Sequence, residues 1–230
     1  MTTDSCINEN YKELAFDIFN EECGMIISDI VEFDKKRSKV FIDGEFAFLL
    51  YKGELRDYKI KLDAELSENA YEEITSELLP KRAIKRAMNL LQKKDYTEKK
   101  LRDKLSEGLY SDDAIDAAIE YVKSYRYLDD HRFARDYIVY HIDSRSKNRV
   151  IQDLSAKGID KQTILDIFDE LESEGLFESV SETELNQIEH LLQKKHYDPE
   201  MEYKEKQKIM AFLLRKGYSM DLVKKAMDNF

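Results

Sequence analysis

Few residues of this 230-residue chain have types and spacings that could carry catalysis. The four histidines, His131, His141, His190 and His196, lack a cysteine or histidine partner at a metal-ligand spacing. Cys6 and Cys23 lie too far apart for a short metal clip, and two cysteines are a thin disulfide framework, so a reducing, cytoplasmic setting is expected. Glycine-rich phosphate loops, dinucleotide fingerprints, metalloprotease helices and nucleophile elbows do not occur. Asp129 and Asp130 could be imagined as metal ligands, but they stand directly before the run HRFARDYIVY. Carboxylates there cap backbone N–H groups and meet the positive end of a helix dipole, and capping is the reading taken. The expectation is a non-enzymatic protein without cofactor or metal.

Charge is the more informative chemistry. The net charge of −11 is unevenly distributed: −10 over residues 1–80, +4 over 81–128, −5 over 129–179 and 0 over 180–230. KRAIKRAMNLLQKK, residues 81–94, holds six cations (Lys81, Arg82, Lys85, Arg86, Lys93 and Lys94) and no acid. A merely solvated helix usually mixes signs for pairing across one turn. An all-cationic face suits a phosphate backbone or an acidic protein groove. Arg132 and Arg135, one turn apart, and the cluster Arg145, Lys147 and Arg149 extend the candidate surface. The 14 tyrosines include Tyr96, Tyr110, Tyr125, Tyr127 and Tyr137 near these charges, and most are expected in cores or between repeats. The negative residues 1–80 are expected to face away from any nucleic acid.

The elements that must position these side chains fall into two kinds. Residues 1–23 form an N-terminal extension in which residues 10–22 could make a short amphipathic helix. Residues 24–80 read as a small antiparallel β domain with an acidic helix. MIISDIVEF and KVFIDGEFAFLLY are β-prone, Asp43-Gly44 marks a hairpin turn, and YKIKL (Tyr58–Leu62) alternates like a third strand. Ser67 opens the acidic helix, and Pro80 is expected to end it.

Beyond Pro80 the apolar period becomes helical. Ile84, Ala87, Met88 and Leu91 make one stripe, with Lys81, Arg82, Lys85 and Arg86 opposite. Third helices carry the spacing +3, +4, +7 three times, at Ile115, Ala118, Ile119, Val122; Ile164, Ile167, Phe168, Leu171; and Val223, Ala226, Met227, Phe230. Second helices pair Leu101/Leu105, Val150/Leu154 and Ile209/Leu213, followed by turns SEGLYS, AKGIDK and RKGYSM. LLQKKDY (Leu90–Tyr96) returns as LLQKKHY (Leu191–Tyr197). The fold class expected is therefore mainly α: three tandem three-helix repeats, 81–128, 129–179 and 180–230, in an elongated array behind the small β-containing domain. The third helices carry acidic or neutral residues where a groove reader would carry Arg, Asn or Gln, so sequence-specific DNA recognition is not expected.

YLDDHRFARDYI (Tyr127–Ile138) followed by RSKNRVIQDLSAKGI (Arg145–Ile159) resembles the central repeat of bacterial RecX regulatory proteins. RAIKRAMNLLQKKDYTEKKLRDKL (Arg82–Leu105) resembles that family's first repeat, and FIDGEFAFLL (Phe41–Leu50) its N-terminal β segment in Gram-positive members. The likeness runs over roughly residues 24–230, is densest over 82–171 and thinner in the third copy; Tyr96 stands where the family pattern would place an arginine. The resemblance implies a monomeric regulator, without membrane attachment, that lodges in the groove of the RecA filament on single-stranded DNA. It implies suppression of RecA's ATP hydrolysis, strand exchange and co-protease activity, with roles in the SOS response and homologous recombination. A second reading is a stand-alone nucleic-acid binder. That reading predicts salt-sensitive affinity for naked DNA, weakened when Lys81, Arg82, Lys85 and Arg86 are together reversed to glutamate, as titrations across ionic strength would measure.

Overall fold

The structure is a computed structural model that describes residues 24–177 and 179–230. The short helix expected over 10–22, with Cys6 and Cys23, lies outside the described residues. The described residues divide into two compact units, one comprising residues 24–80 with Leu109–Ala114, the other Lys81–Gly108 with the described residues from Ile115 to Phe230.

In the first unit, β1 (Met25–Glu32), β2 (Arg37–Ile42), β3 (Glu45–Tyr51) and the two-residue β4 (Glu65–Leu66) form an antiparallel sheet in the order β3-β2-β1-β4. The Asp43-Gly44 turn joins β2 to β3 with Ile42 opposite Glu45. Both turn residues have positive φ, 51 and 89°, as a two-residue hairpin matched to strand twist requires. Alternation in β2 buries Ser38, Val40 and Ile42 on one face, where they join Ile27, Phe48 and Leu50.

Two expectations fail here. Tyr58–Leu62 is not a strand. Helix α1 (Lys52–Asp57) precedes it, Lys59 and Asp63 are left-handed at φ 54 and 58°, and the Ile60 N–H closes back onto the Leu55 carbonyl at 2.8 Å. The alternation reflects Ile60 alone being buried against the unit's core. Nor does Pro80 end a helix. Helix α2 (Glu68–Glu73), capped by Ser67, leads through a π-helical turn (Ile74–Leu78) into α3 (Leu79–Leu91), whose first turn contains Pro80. In the wider π turn the Leu79 N–H donates to the Ile74 carbonyl, five residues back. Proline is tolerated in a first helical turn, where its missing N–H breaks no regular i→i−4 bond.

Three helices follow one another in each copy. The first copy has α3, α4 (Glu98–Ser106) and α5 (Asp112–Ser124). The second has α6 (Asp130–His141), α7 (Lys147–Ala156) and α8 (Lys161–Ser173). The third has α9 (Val180–Lys194), α10 (Tyr203–Arg215) and α11 (Met220–Asp228). Hydroxyl or carboxylate caps start most of them: Thr97, Ser111, Asp129, Ser146, Asp160, Ser179 and Ser219 each accept a backbone N–H two or three residues on. The periodic residues Ile164, Ile167, Phe168 and Leu171 are fully buried with Val150 and Leu154. Each such side chain contributes roughly 1.5–3 kcal/mol through removal from water. In the third copy Val223, Ala226 and Met227 are buried, but Phe230 lies past the helix end, 43% exposed, with its ring edge on Tyr197. In α3 the buried residues are Leu79, Ala83, Ala87 and Leu90, while Ile84, Met88 and Leu91 are only half-buried. The apolar stripe therefore faces the core one position away from where its largest residues placed it.

The turns after α7 and α10 contain Gly158 and Gly217 at φ 97 and 95°. A Cβ on Gly158 would stand 2.4 Å from the Lys99 Cβ, and one on Gly217 2.5 Å from the Ser146 Oγ. Each glycine therefore both turns the chain and lets the preceding copy approach. In the first copy, which no other copy precedes, the left-handed residue is Leu109 at φ 59°, one place after Gly108. Gly158→Ala and Gly217→Ala should each destabilise by more than the ~1–2 kcal/mol that left-handed backbone alone costs an alanine. Gly175→Ala, at φ 70° with open space around its Cβ position, should cost only that amount. Urea unfolding of the three variants checks the order.

Candidate interaction surface

The basic residues that flank the ends of α4, α7 and α10 are positioned by contacts between successive copies. Thr97, the N-cap of α4, donates its hydroxyl to the Lys157 carbonyl at the end of α7 (2.6 Å). Ser146, the N-cap of α7, does the same to the Lys216 carbonyl at the end of α10 (2.8 Å). Both hydroxyl residues are 1% exposed. Each contact has a carboxylate beside it. The Glu98 N–H donates to Asp130 Oδ1 and the Lys147 N–H to Glu184 Oε1, both at 2.8 Å. One copy thus satisfies an orphan carbonyl and caps a helix start in its neighbour, and the arrangement occurs twice.

At the second junction Asn148 also donates to the Gly217 carbonyl (3.0 Å), and Gln187 reaches from α9 to the Ile142 carbonyl while accepting from the Tyr218 hydroxyl (2.9 Å). Burial pushes that phenol up to about 12. Burial also raises the pKa of Asp130 and of Glu184, against the lowering effect of the N–H each accepts. Asp129 caps α6 as the sequence suggested, whereas Asp130 reaches across to cap α4 of the preceding copy.

The candidate binding residues separate into groups. Lys81, Lys85 and Arg86 are exposed on α3 and Arg82 is half-buried beside them. Lys93 and Lys94 are exposed just beyond that helix, with Lys94 Nζ 4.7 Å from the Tyr96 ring centroid. Arg132 and Arg135 differ in their surroundings: Arg132 is exposed, while Arg135 makes a two-pronged ion pair with Glu174 at the end of α8. Arg145 pairs with Asp153 and donates to the Tyr137 hydroxyl (3.0 Å); Arg149 lies 3.3 Å from the same carboxylate. The Lys147 Nζ covers the Phe168 ring at 4.8 Å.

Periodicity along the chain does not point to Arg215 and Lys216, which share one groove with Arg145 and Arg149. Their signal is visible only by aligning the copies, where RKG replaces AKG and Arg215 takes the place of Ala156. Several tyrosines expected in interiors are outside instead. Tyr121, Tyr125 and Tyr127 form an exposed string with centroids 4.8 and 5.9 Å apart, and Tyr140 is 81% exposed. Among the described residues no group of three metal-ligating side chains occurs, and no helix is long and apolar enough to cross a membrane.

Glu184 gives a test of the junction. Its folded pKa is raised, so the folded protein holds its proton to higher pH than the unfolded chain. Stability from this group is therefore lost as pH rises from the ordinary glutamate range through the raised folded value. Glu184→Gln keeps the acceptor without the buried charge, so its stability relative to the parent should grow over that window. Glu184→Ala should cost about 1–3 kcal/mol, because the Lys147 N–H then has no partner. Denaturant titrations of the three proteins at several pH values measure both effects.

Comparison with known proteins agrees with this architecture. The family model described as the first three-helix domain of RecX matches residues 83–121, and that of the third three-helix domain matches residues 182–227. Regulatory protein RecX of Clostridium perfringens strain SM101 is 32% identical over 186 residues, covering 80% of this chain and 85% of the relative. That of Finegoldia magna is 31% identical over 208 residues, covering 87% and 97%. A crystal structure of regulatory protein RecX superposes with a TM-score of 0.58 at 23% identity, covering 89% of this chain and 99% of that one. A second, of RecX from Lactobacillus salivarius, gives 0.53 at 23% identity, with 66% and 98% covered. These two likenesses bear on the fold.

Proposed function

The chain belongs to the RecX family of regulatory proteins, and from that premise we propose that it binds the RecA filament on single-stranded DNA, lodges in its helical groove and suppresses its activities. Those activities are ATP hydrolysis, strand exchange and co-protease action. The curated relatives are named regulatory proteins, in keeping with a role exerted by binding.

The observation that carries this reading is the duplicated junction. Thr97 on Lys157 and Ser146 on Lys216 dock successive copies through the same hydrogen bond, from a capping hydroxyl to a helix-end carbonyl. Copies held in a repeated relation suit a partner that itself repeats. Linked weak contacts to successive protomers gain affinity through effective concentration, without one strong interface. The surfaces of the copies differ in charge, +4 for 81–128 and −5 for 129–179, so each copy meets the filament differently. Cations such as Lys85, Arg86 and Arg132 would face phosphates and acidic side chains in the groove. In this reading the protein acts as a cytoplasmic monomer in DNA repair.

Added to its cognate RecA on single-stranded DNA, the protein should lower ATP turnover at substoichiometric to near-stoichiometric ratios. A coupled ATPase assay reads this directly, and unchanged turnover by demonstrably active RecA would overturn the proposal.

A further inference from the structure

The two junction grooves descend from the same positions yet differ in charge. Between copies one and two the groove is lined by Lys94, Lys100, Lys104 and Lys157, but Asp95, Asp103 and Glu107 line it too. Lys100 lies 3.5 Å from Asp103, Lys104 lies 2.6 Å from Glu107, and Lys157 sits over the Phe133 and Tyr137 rings at 5.8 and 5.5 Å. Carboxylates thus offset most of this groove's positive charge, and the Lys94 ammonium lies over the Tyr96 ring.

Between copies two and three, Arg145 stands in place of Tyr96, Arg149 in place of Lys100, Lys216 in place of Lys157 and Arg215 in place of Ala156. Arg145, Arg149, Arg215 and Lys216 line this groove with Ser144, and no carboxylate residue is among its lining residues. Asp153, its side chain 17% exposed, holds Arg145 and Arg149 from behind while leaving Arg149 54% exposed. Arg215 and Lys216 are exposed and make no ion pair among the described residues, although Lys216 Nζ lies over the Phe212 ring, 5.3 Å from its centroid, as Lys157 lies over its own rings.

We propose that the groove between the second and third copies is a phosphate-binding site for the backbone of single-stranded nucleic acid, and that its counterpart between the first and second copies is not. Forked guanidiniums and an ammonium around an open groove match successive phosphate oxygens. The lining decides between nucleic acid and an acidic protein. Protein interfaces draw their energy from aromatic or aliphatic anchors, and this groove exposes none, Tyr218 being 5% exposed. The exposed aromatics Tyr125, Tyr127, Tyr140, Tyr203 and Phe230 are not among its lining residues. A sugar–phosphate backbone requires only cations and hydrogen-bond donors, and the absence of stacking side chains makes the site indifferent to base sequence.

The test uses the full chain, a fluorescent oligothymidylate of about 20 nucleotides and no RecA, so its failure leaves the filament reading standing. Arg215→Glu with Lys216→Glu should weaken binding at least about tenfold and reduce the log–log salt slope by about 0.7 for each phosphate no longer neutralised. Lys100→Glu with Lys157→Glu makes the same change in net charge and should shift affinity by less than about threefold. Matched thermal midpoints establish folding, and Arg215→Ala with Lys216→Ala replaces the reversal should that variant fail to fold. Equal weakening by both double variants, no weakening by the first, or no binding by the parent protein at low salt would overturn the proposal. Displacement of the oligonucleotide by a poly-glutamate peptide as effectively as by unlabelled oligothymidylate would also overturn it, in favour of an acidic protein ligand.

Discussion

A helix leaves carbonyls without partners at its C-terminus and N–H groups without partners at its N-terminus, and in this chain neighbouring copies supply what each lacks. The Lys157 and Lys216 carbonyls, at the ends of α7 and α10, accept hydroxyls from Thr97 and Ser146 of the copy before. The Glu98 and Lys147 N–H groups, at the starts of α4 and α7, donate to carboxylates of the copy after. These exchanges govern what lies around them. They require Gly158 and Gly217 where the copies approach, bury the Glu184 carboxylate and half-bury that of Asp130, and bring the end of one second helix against the start of another.

That last consequence links fold to binding surface. The start of α7 carries Arg145 and Arg149, and the end of α10 carries Arg215 and Lys216; satisfying one carbonyl brings four cations together. At the first junction the same geometry assembles lysines with acids. The backbone contact is thus separable from the surface charge, which can diverge freely so long as the capping hydroxyl and the turn glycine are kept. One docking rule can therefore support several distinct faces.

Much of the fold was legible because its determinants are local. Helical period, capping residues and the Asp43-Gly44 hairpin each act within a few residues, so the three copies and the sheet could be read directly. Misreadings arose where a local signal was outweighed. Pro80 looks like a terminator, but the π turn before it rearranges the bonds it would break. YKIKL alternates like a strand, yet left-handed Lys59 and Asp63 fold it into turns. The charged surface was less legible, because an arginine's partner depends on tertiary placement: Arg132 is exposed while Arg135, one turn away, is paired with Glu174.

What the sequence by itself determined is the repeated three-helix scaffold, its β-containing neighbour and the uneven charge, all properties of composition and short-range spacing. Tertiary structure alone decided that Asp130 and Glu184 cap helices of a neighbouring copy, and that α3 buries Ala83, Ala87 and Leu90. It alone placed Arg215 beside Arg149. These features join residues far apart in the chain, so no periodicity encodes them. They follow from where one helix end meets the next copy, and that is set by which polar backbone groups burial leaves in need of a partner.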